Sequence, residues 1–345
     1  AIAECVHYPN EHWGKNNNYQ FTTLDSFIID HDWLNIEAMK DNSMLNNNTS
    51  ALGLIFPNTY DAIVPELTNV RLMASIPFAS RYRLIDFILS SMANNDIDNI
   101  SVMVNNNYHS LMDHLGSGKE WDLHTRNNGL FMLPPFLTRE NVGVYGGFMD
   151  AIKSNLTYLR QSRERYVLVT ETGMVYNARY DDMLKQHVKT GADVTLMYTD
   201  DAGVVRSGNS GRYLDVDVNG RVKDIEVEPS LAHYRNTFME CFLIRRELLI
   251  DLVDRGAAHG YHELVRDVLQ RMARDAAIKV CGYEYKDVCF RLDSVQSYFK
   301  FNMAILDTKT RHELFNDKCP VYTKVRDEMP AQYTGNAKIV NSMIA

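Results

Sequence analysis

Residues 71–87 read Arg71-Leu72-Met73-Ala74-Ser75-Ile76-Pro77-Phe78-Ala79-Ser80-Arg81-Tyr82-Arg83-Leu84-Ile85-Asp86-Phe87. The stretch is a turn that opens into a helix. Ile85, Ile88, Leu89 and Met92 share one face at helical spacing, which predicts a helix over Leu84–Asp96. Upstream, Ala51-Leu52-Gly53-Leu54-Ile55-Phe56 is a short continuous apolar run, the pattern of a parallel strand buried on both faces. The strand runs into Pro57-Asn58-Thr59-Tyr60-Asp61-Ala62, a loop without glycine. A phosphate loop uses glycine so that backbone can approach phosphate with no Cβ in the way. Here Pro57 removes one N–H donor, and Tyr60 and Ile63 add bulk.

Working outward, strand and helix alternate. Ile100–Val104 reads as a strand, Tyr108–Leu115 as a short helix, and Gly147–Arg160 as one helix with Phe148, Ile152, Leu156 and Leu159 on a stripe. Tyr166–Thr170 is a buried strand, Asp181–Thr190 a helix closed by Gly191, and Asp193–Tyr198 a strand. This rhythm predicts an α/β fold with a mostly parallel sheet and helices on both faces. Beyond Tyr198, Arg212–Val218 and Arg221–Val227 flank the hairpin turn Asn219-Gly220. A strand at Phe238–Ile244, a helix at Arg245–Val253, a helix at His262–Arg274, a strand at Ala277–Tyr283 and a helix at Val295–Asp307 complete the expected domain.

The ends differ from this body. Residues 1–43 are polar and Asn-rich, with no periodic element and no secretory signal pattern. They read as a poorly ordered extension ahead of a domain over 44–310. Residues 311–345 read as a linker and one further turn. Five scattered cysteines, with no CxxC pair and no zinc spacing, fit free thiols in a reducing cytoplasm. A net charge of −8 argues against a nucleic-acid surface, which needs clustered cations. No apolar run approaches the roughly 20 residues of a membrane-spanning helix.

Three separated blocks carry a family resemblance. His114–Phe136 contains GSGKEWDL and GLFMLPP, Val144–Ala151 reads VYGGFMDA, and Ser297–Leu306 reads SYFKFNMAIL. Together with residues 71–87, they resemble the ADP-glucose pyrophosphorylases (glucose-1-phosphate adenylyltransferases), over roughly Ala51–Asp307. The form GSGKEWDL resembles the GlgD-type companion subunit found beside a catalytic one. The resemblance implies a Rossmann-like nucleotidyltransferase sheet. It also implies that Ala337–Ile344 begins a left-handed β-helix, most of whose turns are missing.

In catalytic members the loop reads roughly GGGxGxRL, and a phosphate-binding Lys follows an Arg. The matching positions here are Arg71, retained as a weak vestigial nucleotide contact, and Met73, which carries no charge and reads as packing. A GDHIY segment supplies an Asp for Mg²⁺, and Gly173 stands at that Asp. A second metal carboxylate in a WRDVGT-like segment is matched by Arg291. The sugar-binding Lys of VEKP is matched by Glu228, a charge reversal. Glu171 and Asp293 each lie two positions from the expected carboxylate, an offset of about 6–7 Å along an extended strand.

The resemblance therefore implies a noncatalytic or weakly active regulatory subunit with no catalytic residue, no metal and no cofactor. Its partner would be a catalytic ADP-glucose pyrophosphorylase subunit. A small anionic metabolite is a candidate effector, with Arg81, Arg83, Lys119 and Arg126 as candidate cations or as ordinary surface charges. The alternative is an active sugar-phosphate nucleotidyltransferase that uses Mg-ATP through Glu171 or Asp293. A third reading, a nucleotide or sugar sensor on the same scaffold, also stays open, because a fold does not fix an activity.

Overall fold

A computed structural model describes residues 50–56, 62–104, 106–124, 128–134, 147–200, 211–325 and 332–344. The extension 1–43, the loop 57–61, Arg126 and Pro135 lie outside the described residues.

The buried apolar runs become neighbours in one sheet. Strand β1 (Ala51–Phe56) pairs in parallel with β2 (Asn99–Met103) on one side and β4 (Tyr166–Glu171) on the other. Strand β3 (Gly129–Leu133), which periodicity had not marked, adds in parallel outside β2. Beyond β4 the sheet continues through β8 (Asn236–Arg245), antiparallel to both β4 and β5 (Val194–Thr199), and then to β9 (Val280–Glu284), parallel to β5. The hairpin β6 (Arg212–Val216) and β7 (Val222–Val227) joins at Asn236 and Thr237 of β8. Gly220, at φ +76°, takes the left-handed turn position that favours glycine. A mostly parallel sheet, in which only β8 and β7 run against the other strands, with helices on both faces, is the expected α/β architecture.

Two apolar layers cover the sheet. On one face Ile55, Ile100, Val102 and Leu168 pack with Ile85, Ile88, Leu89 and Met92 of helix α1 (Leu84–Ala93), together with Trp121 and Leu123. On the other, Leu52, Leu54, Val167 and Val169 pack with helix α3 (Phe148–Ser154) and helix α6 (Arg246–Ala258). Helix α2 (His109–Leu115) precedes the WDL segment, and α5 (Tyr180–Thr190) ends at Gly191 with φ +59°.

Two helix expectations need correction. The stripe over Gly147–Arg160 is two helices, α3 and α4 (Leu156–Gln161), because Asn155 leaves helical geometry at φ −115° and its side chain donates back to the Ala151 carbonyl at 3.0 Å. The helix over His262–Arg274 is a π-helical turn, Leu264–Leu269, that tightens into α7 (Gln270–Arg274).

Helices α8 (Val295–Ala304) and α9 (Thr308–Leu314) close the domain. Residues 315–325 then run back over α1. Asp86, Ser90 and Asn94, one turn apart on that helix, bond to Thr323 (2.6 Å), to the Tyr322 N–H (2.8 Å) and to the Pro320 carbonyl (2.8 Å). Buried Asn177 holds the same segment through the Cys319 carbonyl (2.6 Å). Residues 332–344 form no strand, so the expected turn of β-helix at Ala337–Ile344 is not seen.

Candidate functional site

The carboxyl ends of parallel strands are where doubly wound sheets bind ligands. At this edge Phe56 of β1 lies opposite Glu171 of β4, and the chain continues through Thr172 and Gly173. Met174–Val175 forms a two-residue ribbon with Phe290–Arg291, setting Arg291 opposite Met174. The Leu292 N–H donates to the Gly173 carbonyl at 2.9 Å. The structure thus brings together Gly173 and Arg291, two positions 118 residues apart that the resemblance had matched to metal carboxylates. Neither offers an acidic side chain, and Arg291 is buried.

Met73 is fully buried in the apolar cluster that holds Phe78, Phe87, Val175 and Phe290, the environment of a packing residue. Arg71 is half-buried and its field reaches the Tyr298 hydroxyl, whose own group bonds the Pro77 carbonyl at 2.7 Å. Glu228 adopts a left-handed backbone at φ +49° and pairs with Arg266 at 2.5 Å. Among the effector candidates, Arg83 donates to the Ser110 carbonyl (2.7 Å) and Oγ (3.0 Å), Arg81 lies over the Tyr82 ring, and Lys119 begins a short 3₁₀ turn. Of these three, none lines the described cavity, and Arg126 lies outside the described residues. The described cavity, about 260 Å³, lies instead by Ala51, Asp96, Tyr180 and Asp181, where β1 begins.

The shifted acids are already engaged. Asp293 accepts from Ser294 Oγ at 3.3 Å, and its N–H donates to Ser297 Oγ at 3.1 Å, within the N-terminal cap of α8. Glu171 lies 3.7 Å from the Arg212 guanidinium, which also forms a close ion pair with Glu240 and stands 3.9 Å from Glu263. Sequence reasoning missed this Arg212 cluster. Glu240 sits in a bulge of β8, where the register with β5 breaks between Phe238 and Phe242, and its φ is +53°. Glu263 approaches Phe148 N–H at 3.4 Å, and burial raises its carboxyl pKa against the opposing field of Arg212.

Magnesium takes near-octahedral oxygens at about 2.0–2.1 Å, usually carboxylates and substrate phosphates. Among the described residues no group of three or more His, Cys, Asp or Glu side chains is placed to hold a metal ion. With a glycine and an arginine at the two matched positions and a guanidinium against Glu171, these residues do not fit the Mg²⁺ that the resemblance implies.

The nucleotidyl transferase family matches residues 64–307, which hold every strand of the sheet after β1, both ribbon strands and the Arg212 cluster. The glycogen biosynthesis protein GlgD of Bacillus subtilis is 31% identical over 298 residues, covering 86% of this chain and 76% of that protein. GlgD of Geobacillus stearothermophilus is 33% identical over 302 residues, with the same coverage. The chain belongs to the nucleotidyl transferase family, among the GlgD-like ADP-glucose pyrophosphorylases. A glucose-1-phosphate adenylyltransferase of Thermomicrobium roseum is 32% identical over 284 residues, 81% of this chain and 65% of the relative. Within this family the described part of the block that begins at His114 packs against α1. Trp121 donates to Ser90 Oγ at 3.2 Å, and buried His114 bonds Asp86 at 2.6 Å, so the GSGKEWDL block holds α1 in place. Among the described residues no helix is long and apolar enough to cross a membrane.

Proposed function

We propose that this chain is a noncatalytic regulatory subunit of glucose-1-phosphate adenylyltransferase, the enzyme that makes ADP-glucose and diphosphate from ATP and glucose-1-phosphate. It acts in the cytoplasm in glycogen biosynthesis, assembled with a catalytic subunit. The observation that carries this reading is the pairing of Gly173 with the Arg291–Leu292 segment at the sheet's carboxyl edge. Nucleotidyl transfer needs charge neutralised as the α-phosphate is attacked, by metal and by cationic side chains. The matched metal positions supply no carboxylate, the matched lysine is buried Met73, and the matched sugar lysine is Glu228. The names of the two GlgD relatives support the pathway. Arg71 remains as a weak nucleotide contact, and a small anionic metabolite remains a candidate effector.

The test is turnover of ATP plus glucose-1-phosphate with Mg²⁺, for this chain alone and mixed with a catalytic subunit. The chain alone should give no product above background. The mixture should sediment as a mixed assembly, with a higher maximal rate or an altered effector response. An ordinary turnover number for the chain alone, about 1–10³ s⁻¹, favours the active enzyme working through Glu171 or Asp293 instead.

A further inference from the structure

At the sheet's carboxyl edge three carboxylates converge on one cation. Glu171 ends β4, Glu240 lies in the bulge of β8, and Glu263 precedes the π-helical turn, yet all three lie within 4 Å of the guanidinium of Arg212. The Arg212 side chain is 9% exposed, Glu171 10% and Glu240 2%. Burying charges so deeply is costly unless they are compensated inside the protein.

We infer that the Arg212 guanidinium is a built-in counter-ion for Glu171, Glu240 and Glu263, occupying the space between them that a divalent cation would need. The edge therefore keeps its shape without a divalent ion and admits none.

Two further observations support this role. Glu240 Oε1 is buried and accepts no hydrogen bond, so a nearby positive charge is what compensates it, and its Oε2 lies on Arg212. Glu240 also holds a left-handed backbone, a conformation that costs a non-glycine residue roughly 1–2 kcal/mol and that persists where the surroundings over-determine it. The bulge delivers its carboxylate to Arg212. A guanidinium differs from a bound ion in one decisive way: it is covalently held and cannot exchange. A metal ion approaching the three carboxylates meets a fixed like charge already in their midst. Whatever ligand this edge takes must then bind without a metal bridge to these acids.

The inference rests on reading the edge as one that has left metal-dependent transfer. Its test reads metal binding and stability rather than turnover, so the two can fail separately. Mn²⁺ serves as the probe. Thermal unfolding of the wild-type chain should be the same in EDTA and in millimolar Mn²⁺. Arg212→Met should be less stable than wild type in EDTA, regain stability with Mn²⁺, and bind one Mn²⁺ roughly 100-fold tighter than wild type, the order expected when a compensating charge returns to buried carboxylates. Adding Glu240→Gln to Arg212→Met should abolish that recovery. Arg212→Lys, which keeps the charge, should stay folded and indifferent to Mn²⁺. The inference is overturned if wild type is stabilised by Mn²⁺ in a way that Glu240→Gln removes. It is equally overturned if Arg212→Met, folded or not, gains nothing from Mn²⁺, or if Arg212→Lys becomes dependent on the ion.

Discussion

The Leu292 N–H donates to the Gly173 carbonyl across 2.9 Å, closing the two-residue ribbon at the carboxyl edge of the sheet. This bond keeps Arg291 beside the Gly173–Met174 segment. Gly173 and Arg291, the two positions matched to metal carboxylates, are thus held side by side by backbone pairing and carry no carboxylate.

Met73 is a core residue, so restoring the lysine of catalytic members should damage the fold before it helps chemistry. The cluster it shares with Phe78, Phe87, Val175 and Phe290 is apolar, so burying an ammonium there is costly. Met73→Lys should cost about 3 kcal/mol or more and lower the melting temperature, with no ADP-glucose formed. Thermal unfolding beside a turnover assay checks this. A stable Met73→Lys protein with measurable turnover would mean the position still faces the cleft.

The segment 315–325 is held to α1 by polar groups buried beneath it. Thr323 Oγ1 donates to Asp86, which is fully buried and also accepts from His114 and from the Arg83 N–H. Thr323→Val keeps the shape and deletes one charge-assisted bond, so urea unfolding should show a loss of about 1.5–3 kcal/mol. A loss near zero would show that the segment is not anchored there in solution.

Gly147 packs where no side chain fits. A Cβ there would lie 2.5 Å from the His262 carbonyl oxygen and 2.6 Å from Glu263 Oε1. Because the nearest atom is backbone, Gly147→Ala should force α3 away from the π-helical turn and cost roughly 1–3 kcal/mol. Denaturant titration gives the number, and an unchanged midpoint would rule out this close approach.

His187 should make stability fall with acid. It is 1% exposed, with Nδ1 bonded to Thr195 Oγ1 at 2.7 Å and its ring edge-on to Tyr166. Burial, aided by the nearby Arg245 cation, lowers its pKa from 6.5 to about 4. The folded pKa lies below the unfolded one, so the unfolded chain takes up the proton first. The native advantage is complete above about pH 6.5 and is lost as pH falls toward 4, a change of about 3 kcal/mol. Melting temperatures between pH 7 and pH 4 should drop less steeply in His187→Gln than in wild type. Parallel slopes would show that His187 is not the group responsible.

Much of this molecule could be read from the sequence because its signals are local. The short runs Ala51–Phe56 and Tyr166–Thr170 are long enough to specify buried strands, and Asn219-Gly220 specifies a turn by its own backbone preferences. The loss of charge at Met73, the loss of a carboxylate at Gly173 and the reversal at Glu228 are likewise matters of residue identity, visible once the flanking blocks set the register. Only the tertiary structure decided where those positions stand. It split the helix at Asn155, because a side chain that bonds its own backbone competes with the helical ladder. It placed Gly173 against Leu292, and it drew Glu171, Glu240 and Glu263 around Arg212 from four separate segments. No periodicity encodes such a cluster. Ion pairs across a sheet depend on strand order and on a single bulge, and both are settled by packing the whole chain rather than by any stretch of it.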